Sequence, residues 1–102
     1  MIVTELGTSP GGARNVEIRC NEIPFHALLR CLRRLPGALV SGAVKNPMND
    51  DAQALIRYKN IAIQLETPFS DYVLSCESPG HEFDEVLDHL RSYKTQWWER
   101  FF

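Results

Sequence analysis

The sequence lacks the features that mark several common classes of protein. Only three of its 102 residues are cysteine, and they form no Cys-x-x-Cys pair, which argues against a zinc site or a disulfide framework. No stretch approaches the 18 consecutive apolar residues of a membrane-spanning helix, and residues 1–6 do not begin a signal peptide. We therefore expect a cytoplasmic protein that does not contact a membrane.

Neither sign of charge dominates the chain. Eleven Lys and Arg residues stand against 13 Asp and Glu residues, which gives a formal net charge of −2. Such a balance produces no general attraction to phosphate backbones or anionic lipids, so no nucleic-acid partner is expected. The composition, 44% hydrophobic and 24% charged, is that of an ordinary globular domain. We expect one small domain over residues 1–102, with a loop-rich segment at 1–13.

Recognisable catalytic and cofactor motifs are also missing. The only glycine cluster, at residues 9–12, lacks the Lys and Ser/Thr of a phosphate-binding loop, and no Gly-x-Ser-x-Gly or His-Glu-x-x-His occurs. The sequence therefore predicts no catalytic residues, no cofactor and no metal. The best alternative is His81, Glu85 and His89 along one side of a predicted helix. Positions eight residues apart are about 12 Å apart along a helix axis, which is too far for direct ligation of one ion.

Short strand patterns occupy most of the chain. Residues 2–6 form an apolar run followed by a turn cluster, and residues 14–21 alternate between apolar and polar positions. Small and branched residues follow at 37–44. Two further runs, at 54–58 and 61–66, are separated by Lys59-Asn60, a spacing that predicts a tight hairpin in which Asn60 tolerates positive φ. Alternation at 72–76 predicts the last strand.

Two helices complete the pattern. One begins near Pro24 and extends to about Leu35, where Pro36-Gly37 ends it. A second, long helix is predicted after Ser78-Pro79-Gly80, with apolar residues at near-helical intervals from Phe83 to Phe101 and with acidic residues early and basic residues late, as the helix dipole favours. The fold class is therefore α+β: a mostly antiparallel sheet of about four to five strands, in the order strand, strand, helix, three strands, helix, with both helices on one face. Cys20, Cys31 and Cys76 occupy apolar-pattern positions and are expected to be reduced core thiols.

The C-terminal residues 97–102 contain four aromatic side chains. Trp97 and Phe101 continue the core face of the predicted helix, whereas Trp98 and Phe102 are rotated by about 100° and form a second strip. Exposed aromatic side chains usually mark contacts with another chain. The strip therefore predicts a seam with another protein or with a second copy, unless the chain end folds back over the sheet.

Two charged groups are further candidates for partner binding. An acidic set lies in loops or at a helix start, where it could mimic the phosphate-bearing substrate of a toxin; it comprises Asp50, Asp51, Asp71, Glu82 and Asp84. A basic set on the first helix is either a solvated surface or a patch that binds an acidic protein; it comprises Arg30, Arg33 and Arg34. No aromatic residues are interleaved with these arginines to stack nucleic-acid bases.

These observations predict a non-catalytic protein-binding module that acts by surface complementarity. Its most concrete form is a bacterial toxin-neutralising, immunity-type protein with a cognate toxin as partner. One alternative is a structural homodimer or scaffold domain of profilin-like topology, to which the element order is similar by topology only. The other is a small enzyme or ligand-binding protein with its site at the second helix.

Overall fold

The computed structural model describes residues 1–46, 51–69, 71–77 and 79–93. Within these ranges it contains six strands and two helices, which confirms the α+β class with slightly more strands than predicted. The strands are β1 (Thr4–Thr8), β2 (Arg14–Ile18), β3 (Ala38–Lys45), β4 (Ala52–Tyr58), β5 (Ile61–Phe69) and β6 (Asp71–Cys76), and the helices are α1 (Phe25–Arg33) and α2 (His81–Ser92). Four predicted site residues lie outside the described ranges: Asp50, Trp97, Trp98 and Phe102.

The strands form one antiparallel sheet in the order β1-β2-β6-β5-β4-β3. Every neighbouring pair is antiparallel, so the sheet is built from hairpins and one longer pairing of β2 with β6. Strands β1 and β3 are its two edges. Because successive side chains of a strand point to opposite faces, each strand divides its residues between the two faces of the sheet.

Both helices cover the same face of the sheet. Strand β4 shows the consequence, since Ala52, Ala54, Ile56 and Tyr58 are buried while Gln53 and Arg57 are exposed. Burial of a leucine or isoleucine side chain stabilises a fold by about 1.5–3 kcal/mol. The largest fully buried side chains all belong to this single core between sheet and helices: Ile18, Ile23, Leu28, Leu32, Ile56, Ile63, Leu65, Leu74, Phe83, Leu87 and Leu90.

The predicted hairpin between the two middle runs is confirmed, although its turn geometry differs. Tyr58 pairs with Ile61 across the two-residue turn. Lys59, rather than Asn60, has the positive φ, at 53°. A left-handed conformation is unfavourable for a lysine side chain. Its ammonium group is held by Glu85, with Nζ 2.9 Å from Oε2, and this contact orients the turn residue toward α2.

The N-terminal strands differ from the predicted boundaries. Strand β1 continues through Gly7 to Thr8, whereas the turn residues there predicted a loop. A register shift between Glu5 and Gly7 accommodates the glycine, whose φ is 108°. Strand β2 ends at Ile18, so Cys20 lies beyond the sheet and is exposed, while Cys31 and Cys76 are buried. The prediction of three core thiols is therefore wrong for Cys20, whose N–H donates to Asp71 Oδ1 at 2.9 Å.

The second helix is shorter than its sequence pattern predicted. Helix α2 ends at Ser92, and Tyr93 is extended with φ −74° and ψ 130°. The prediction of one continuous helix to Phe101 is therefore wrong at Tyr93. Two contacts hold this residue outside the helix: Met1 donates from its terminal ammonium to Tyr93 O at 3.0 Å, and Arg34 Nη1 donates to Tyr93 Oη at 3.2 Å.

Candidate protein-binding surface

The sheet face opposite the helices, here called the open face, is not covered by any described element. Strand register divides its side chains into three rows that run across the sheet. The middle row contains Asn15, Ser75, Gln64, Leu55 and Ser41. Ser75 Oγ donates to Asn15 Oδ1 at 2.8 Å. Apart from Leu55, this row is polar and uncharged.

A second row contains two carboxylates. Register aligns Glu17, Val73, Glu66, Gln53 and Val44 across five strands. Glu17 and Glu66 lie on either side of Val73, about 10 Å apart at the usual strand spacing. Neither carboxylate makes a hydrogen bond or ion pair with the part of the chain that the structure describes. A cationic group placed over Val73 would therefore lie near both carboxylates without breaking an intrachain contact.

The third row adds a shallow depression to the open face. Leu39, Arg57 and Ala62 are aligned there. Ala62 and Ser75 are small, and a depression of about 440 Å³ lies over them and beside Leu55 and Gln64. A second depression of about 240 Å³ shares Leu55 and Gln64 and extends toward Gly42. Both are open to solvent, so this surface suits contact with another macromolecule better than enclosure of a small ligand.

Several apolar side chains lie on the open face at and beside the edge strand β3. Leu39 is 69% exposed and Val44 is 55% exposed, and both lie on the open face beside half-buried Leu55. The other two large exposed apolar side chains among the described residues, Ile2 and Leu6, lie before or within β1 at the opposite edge. An exposed apolar patch rimmed by polar residues is typical of a protein contact surface.

The acidic set predicted from sequence does not form one surface. Asp51 and Asp71 lie at the end of the sheet where β4 and β6 begin, whereas Glu82 and Asp84 follow the other end of β6. The six residues of β6 separate these ends by about 16 Å. Asp71 accepts a hydrogen bond from Cys20 N–H, and this bond lowers the pKa of Asp71.

Asp84 is already engaged within the chain. Its Oδ1 accepts a hydrogen bond from Arg14 Nη1 at 2.6 Å, and the same guanidinium pairs with Glu5 and lies 5.2 Å from the Phe83 ring centroid. The hydrogen bonds to Glu5 and Asp84 raise the pKa of Arg14. The cluster joins β1, β2 and α2, which makes a structural role the better account of Arg14 and Asp84.

The basic set is gathered at the end of α1. Arg30 is half-buried, and Arg33 and Arg34 are exposed. Arg34 lies 5.7 Å from the centroid of the Tyr93 ring and donates to its hydroxyl. Part of this set is therefore used to fix Tyr93 beside α1.

The alternative site on the second helix is only partly assembled, since His81 Nε2 lies 3.9 Å from Glu85 Oε1 whereas His89 contacts α1. Glu85 accepts hydrogen bonds from Tyr58 Oη and Lys59 Nζ, and the Lys59 bond is the main reason that the pKa of Glu85 is lowered. His89 Nε2 donates to Cys31 O at 2.7 Å, so its ring faces α1. Among the described residues, no three His, Cys, Asp or Glu side chains are grouped to hold a metal ion.

The open-face residues were not predicted as a site from the sequence. The alternation at residues 14–21 places Glu17 on the polar face of its strand, but it does not indicate which strands lie beside it. The pairing of β2 with β6, a strand distant from it in sequence, places Glu17 and Glu66 on either side of Val73.

Comparison with protein-family models, curated proteins and solved structures finds no match to this chain. Within the described ranges, no helix has both the length and the apolar character needed to cross a membrane.

Proposed function

We propose that this protein is a non-catalytic protein-binding module and that a basic protein surface docks on its open face. The observation that carries the proposal is the pair Glu17 and Glu66, which flank Val73 without a partner among the described residues. Complementary charge speeds association and suppresses wrong partners. The neighbouring apolar residues Val44 and Leu55 would supply the buried area that charge alone does not provide.

The toxin-neutralising form of this proposal requires a partner with a cationic active site, such as a toxin that acts on a phosphate-bearing substrate. The open-face carboxylates support that form through their charge, and they replace the dispersed acidic set as the residues expected to contact the toxin. We place the interaction in the cytoplasm. Cys20, Cys31 and Cys76 form no disulfide with one another, which is compatible with that reducing compartment.

Capture of partners by immobilised protein, followed by affinity measurement, tests the proposal. The variant E17Q/E66Q removes both carboxylates with little change of shape. The matched control, E22Q/D88N, removes two carboxylates that lie off the open face. We expect E17Q/E66Q to weaken binding on the order of tenfold, mainly through slower association, and to reduce the salt dependence of binding.

The control should bind as the wild type does. Equal binding by E17Q/E66Q and wild type, or a loss confined to E22Q/D88N, would show that the partner uses another surface. Circular dichroism of each variant verifies that the fold is retained.

A further inference from the structure

We infer that the free edge of β3 pairs with β3 of a second copy of this chain, which forms a two-fold dimer with a continuous sheet. This inference rests on the backbone edge and on Leu39, whereas the proposed function rests on the carboxylates of the open face. Either can therefore fail without the other.

The backbone N–H and C=O groups along β3 alternate in direction. Tyr58 and Ile61 close a two-residue hairpin and so exchange hydrogen bonds, which directs the alternate residues Arg57 and Leu55 of β4 toward β3. Their partners in β3 are Leu39 and Ser41. The intervening residues, Ala38 and Val40, therefore direct their backbone groups away from β4. In agreement, Ala38 N–H donates outside the sheet, to Leu35 O at 3.0 Å.

The two halves of this edge strand differ in how well they are protected from pairing. Natural sheet edges are usually blocked by bulges, charges or proline. The later half of β3 has such protection, because the register shifts between Ser41 and Val44, Gly42 has φ 59°, and Lys45 ends the strand. The earlier half, residues 38–41, is regular, uncharged and carries Leu39, which is 69% exposed. This half is long enough to pair with one short strand.

The composition of β3 favours a second copy of this chain as its pairing partner. A two-fold interface places a segment of one chain against the same segment of the other chain. Any charge in that segment would therefore lie near the identical charge of its copy and repel it. Residues 36–44 contain no charge. At the other edge, β1 contains Glu5, which is held by Arg14, and its register shifts at Gly7. Strand β3 is therefore the edge better suited to pair with the same strand of a second copy.

The geometry also fixes the register of the dimer. With the two-fold axis at Leu39, Val40 N–H of each chain donates to Ala38 O of the other. Leu39 then faces its own copy in a non-hydrogen-bonded pair, with Cβ atoms about 4.5–5.5 Å apart. This arrangement buries Leu39, the most exposed large apolar side chain among the described strand residues, and leaves the carboxylates of the open face accessible.

Disulfide crosslinking tests this register. The variant C20S/L39C removes the exposed native thiol and places a cysteine on the proposed axis, where the separation suits a disulfide; Cys31 and Cys76 are buried. We expect mild oxidation to convert it to a covalent dimer. The matched control, C20S/L6C, places a thiol at the other edge and should remain monomeric on denaturing gels. Equal crosslinking of both variants would overturn the inference.

Mass measurement by light scattering tests the edge itself. Wild-type protein should have twice the mass of the monomer. V40P removes an outward-facing N–H, which an edge strand tolerates, and should be a folded monomer. If V40P does not fold, L39K, which opposes two ammonium groups across the axis, should give the monomer instead. A monomeric wild type at all concentrations, or a folded V40P or L39K dimer, would overturn the inference.

Discussion

Glu85 is the residue that attaches helix α2 to the hairpin between β4 and β5. Its carboxylate accepts hydrogen bonds from Tyr58 Oη and from Lys59 Nζ at 2.9 Å. The Lys59 bond is the largest cause of the lowered pKa of Glu85, and the bonds to Glu85 raise the pKa of both Tyr58 and Lys59. The ionised form of Glu85 is therefore favoured in the folded protein.

This pKa shift predicts an acid-dependent loss of stability. Because the pKa of Glu85 is lower in the folded state, unfolding takes up a proton when the pH lies between the folded and unfolded values. The contribution of Glu85 is complete above its unfolded pKa of about 4.3 and is lost as the pH falls through the folded value. Urea unfolding from about pH 7 to about pH 3 should therefore show E85Q less stable than wild type at neutral pH and nearly equal at the acid limit.

Glu66 provides the control for this measurement. It makes no hydrogen bond or ion pair within the described ranges, so E66Q should leave the neutral-pH stability nearly unchanged. If the difference between E85Q and wild type stays constant across the acid range, the carboxylate of Glu85 does not act through its charge. The ion pair between Lys59 and Glu85 would then be incidental to stability.

At the scale of the element, the bulge in β3 depends on one glycine. Gly42 has φ 59°, and a Cβ built there would meet no atom within 4 Å. The cost of a side chain at this position is therefore conformational and not steric. We expect G42A to lower the free energy of unfolding by about 1 kcal/mol and G42N, whose side chain tolerates left-handed backbone, to lower it less.

Gly11 is the matched control for the bulge. A Cβ there also meets nothing within 4 Å, but its φ is not positive. Replacement by alanine should be neutral or stabilise the protein by a few tenths of a kcal/mol, because it restricts the unfolded chain. Urea unfolding at one protein concentration compares the variants, and equal effects of G42A and G11A would contradict the assigned strain.

The predicted elements differ in how well local sequence determined them. The spacing of apolar residues was sufficient to predict the buried faces of α1 and α2, since Leu28, Leu32, Phe83 and Leu87 are all buried. The boundaries depended on distant residues. Gly7 continues a strand because β2 pairs with it, and α2 ends at Ser92 where contacts from Met1 and Arg34 hold Tyr93.

The candidate surface shows the same division between local and distant information. Alternation within a strand predicts which residues share a face, and this was sufficient to place Glu17 opposite the core. The lateral neighbours of Glu17 depend on the β2–β6 pairing, which joins segments more than 50 residues apart in sequence. The sequence does not contain a local signal for that pairing, because both strands alternate in the same way.

At the scale of the whole molecule, the chain of 102 residues has a radius of gyration of 12.8 Å, and its described elements include one helix of nine residues and one of twelve. Small domains bury a smaller fraction of their surface than large ones. Here α1 and α2 cover one face, and the described part of the chain leaves the other to solvent. One face of the sheet therefore forms part of the core, and the other face is a broad surface that no described element covers.

This asymmetry predicts a difference between two leucines on adjacent strands. Leu65 is fully buried under the helices, whereas Leu55 is half-buried on the open face. L65A should cost about 2–5 kcal/mol in the free energy of unfolding because it leaves a cavity in the core. L55A should cost about 1 kcal/mol or less, because solvent fills the space that it vacates.

Urea unfolding of both variants at one protein concentration compares the two faces directly, and partner capture by L55A measures the role of the open face in binding. The proposal expects a small stability loss together with a clear loss of capture for L55A. A stability loss for L55A as large as that for L65A would mean that the open face is covered in the folded protein. The carboxylates beside Leu55 would then be inaccessible to a basic partner, and the proposed docking surface would have to be abandoned.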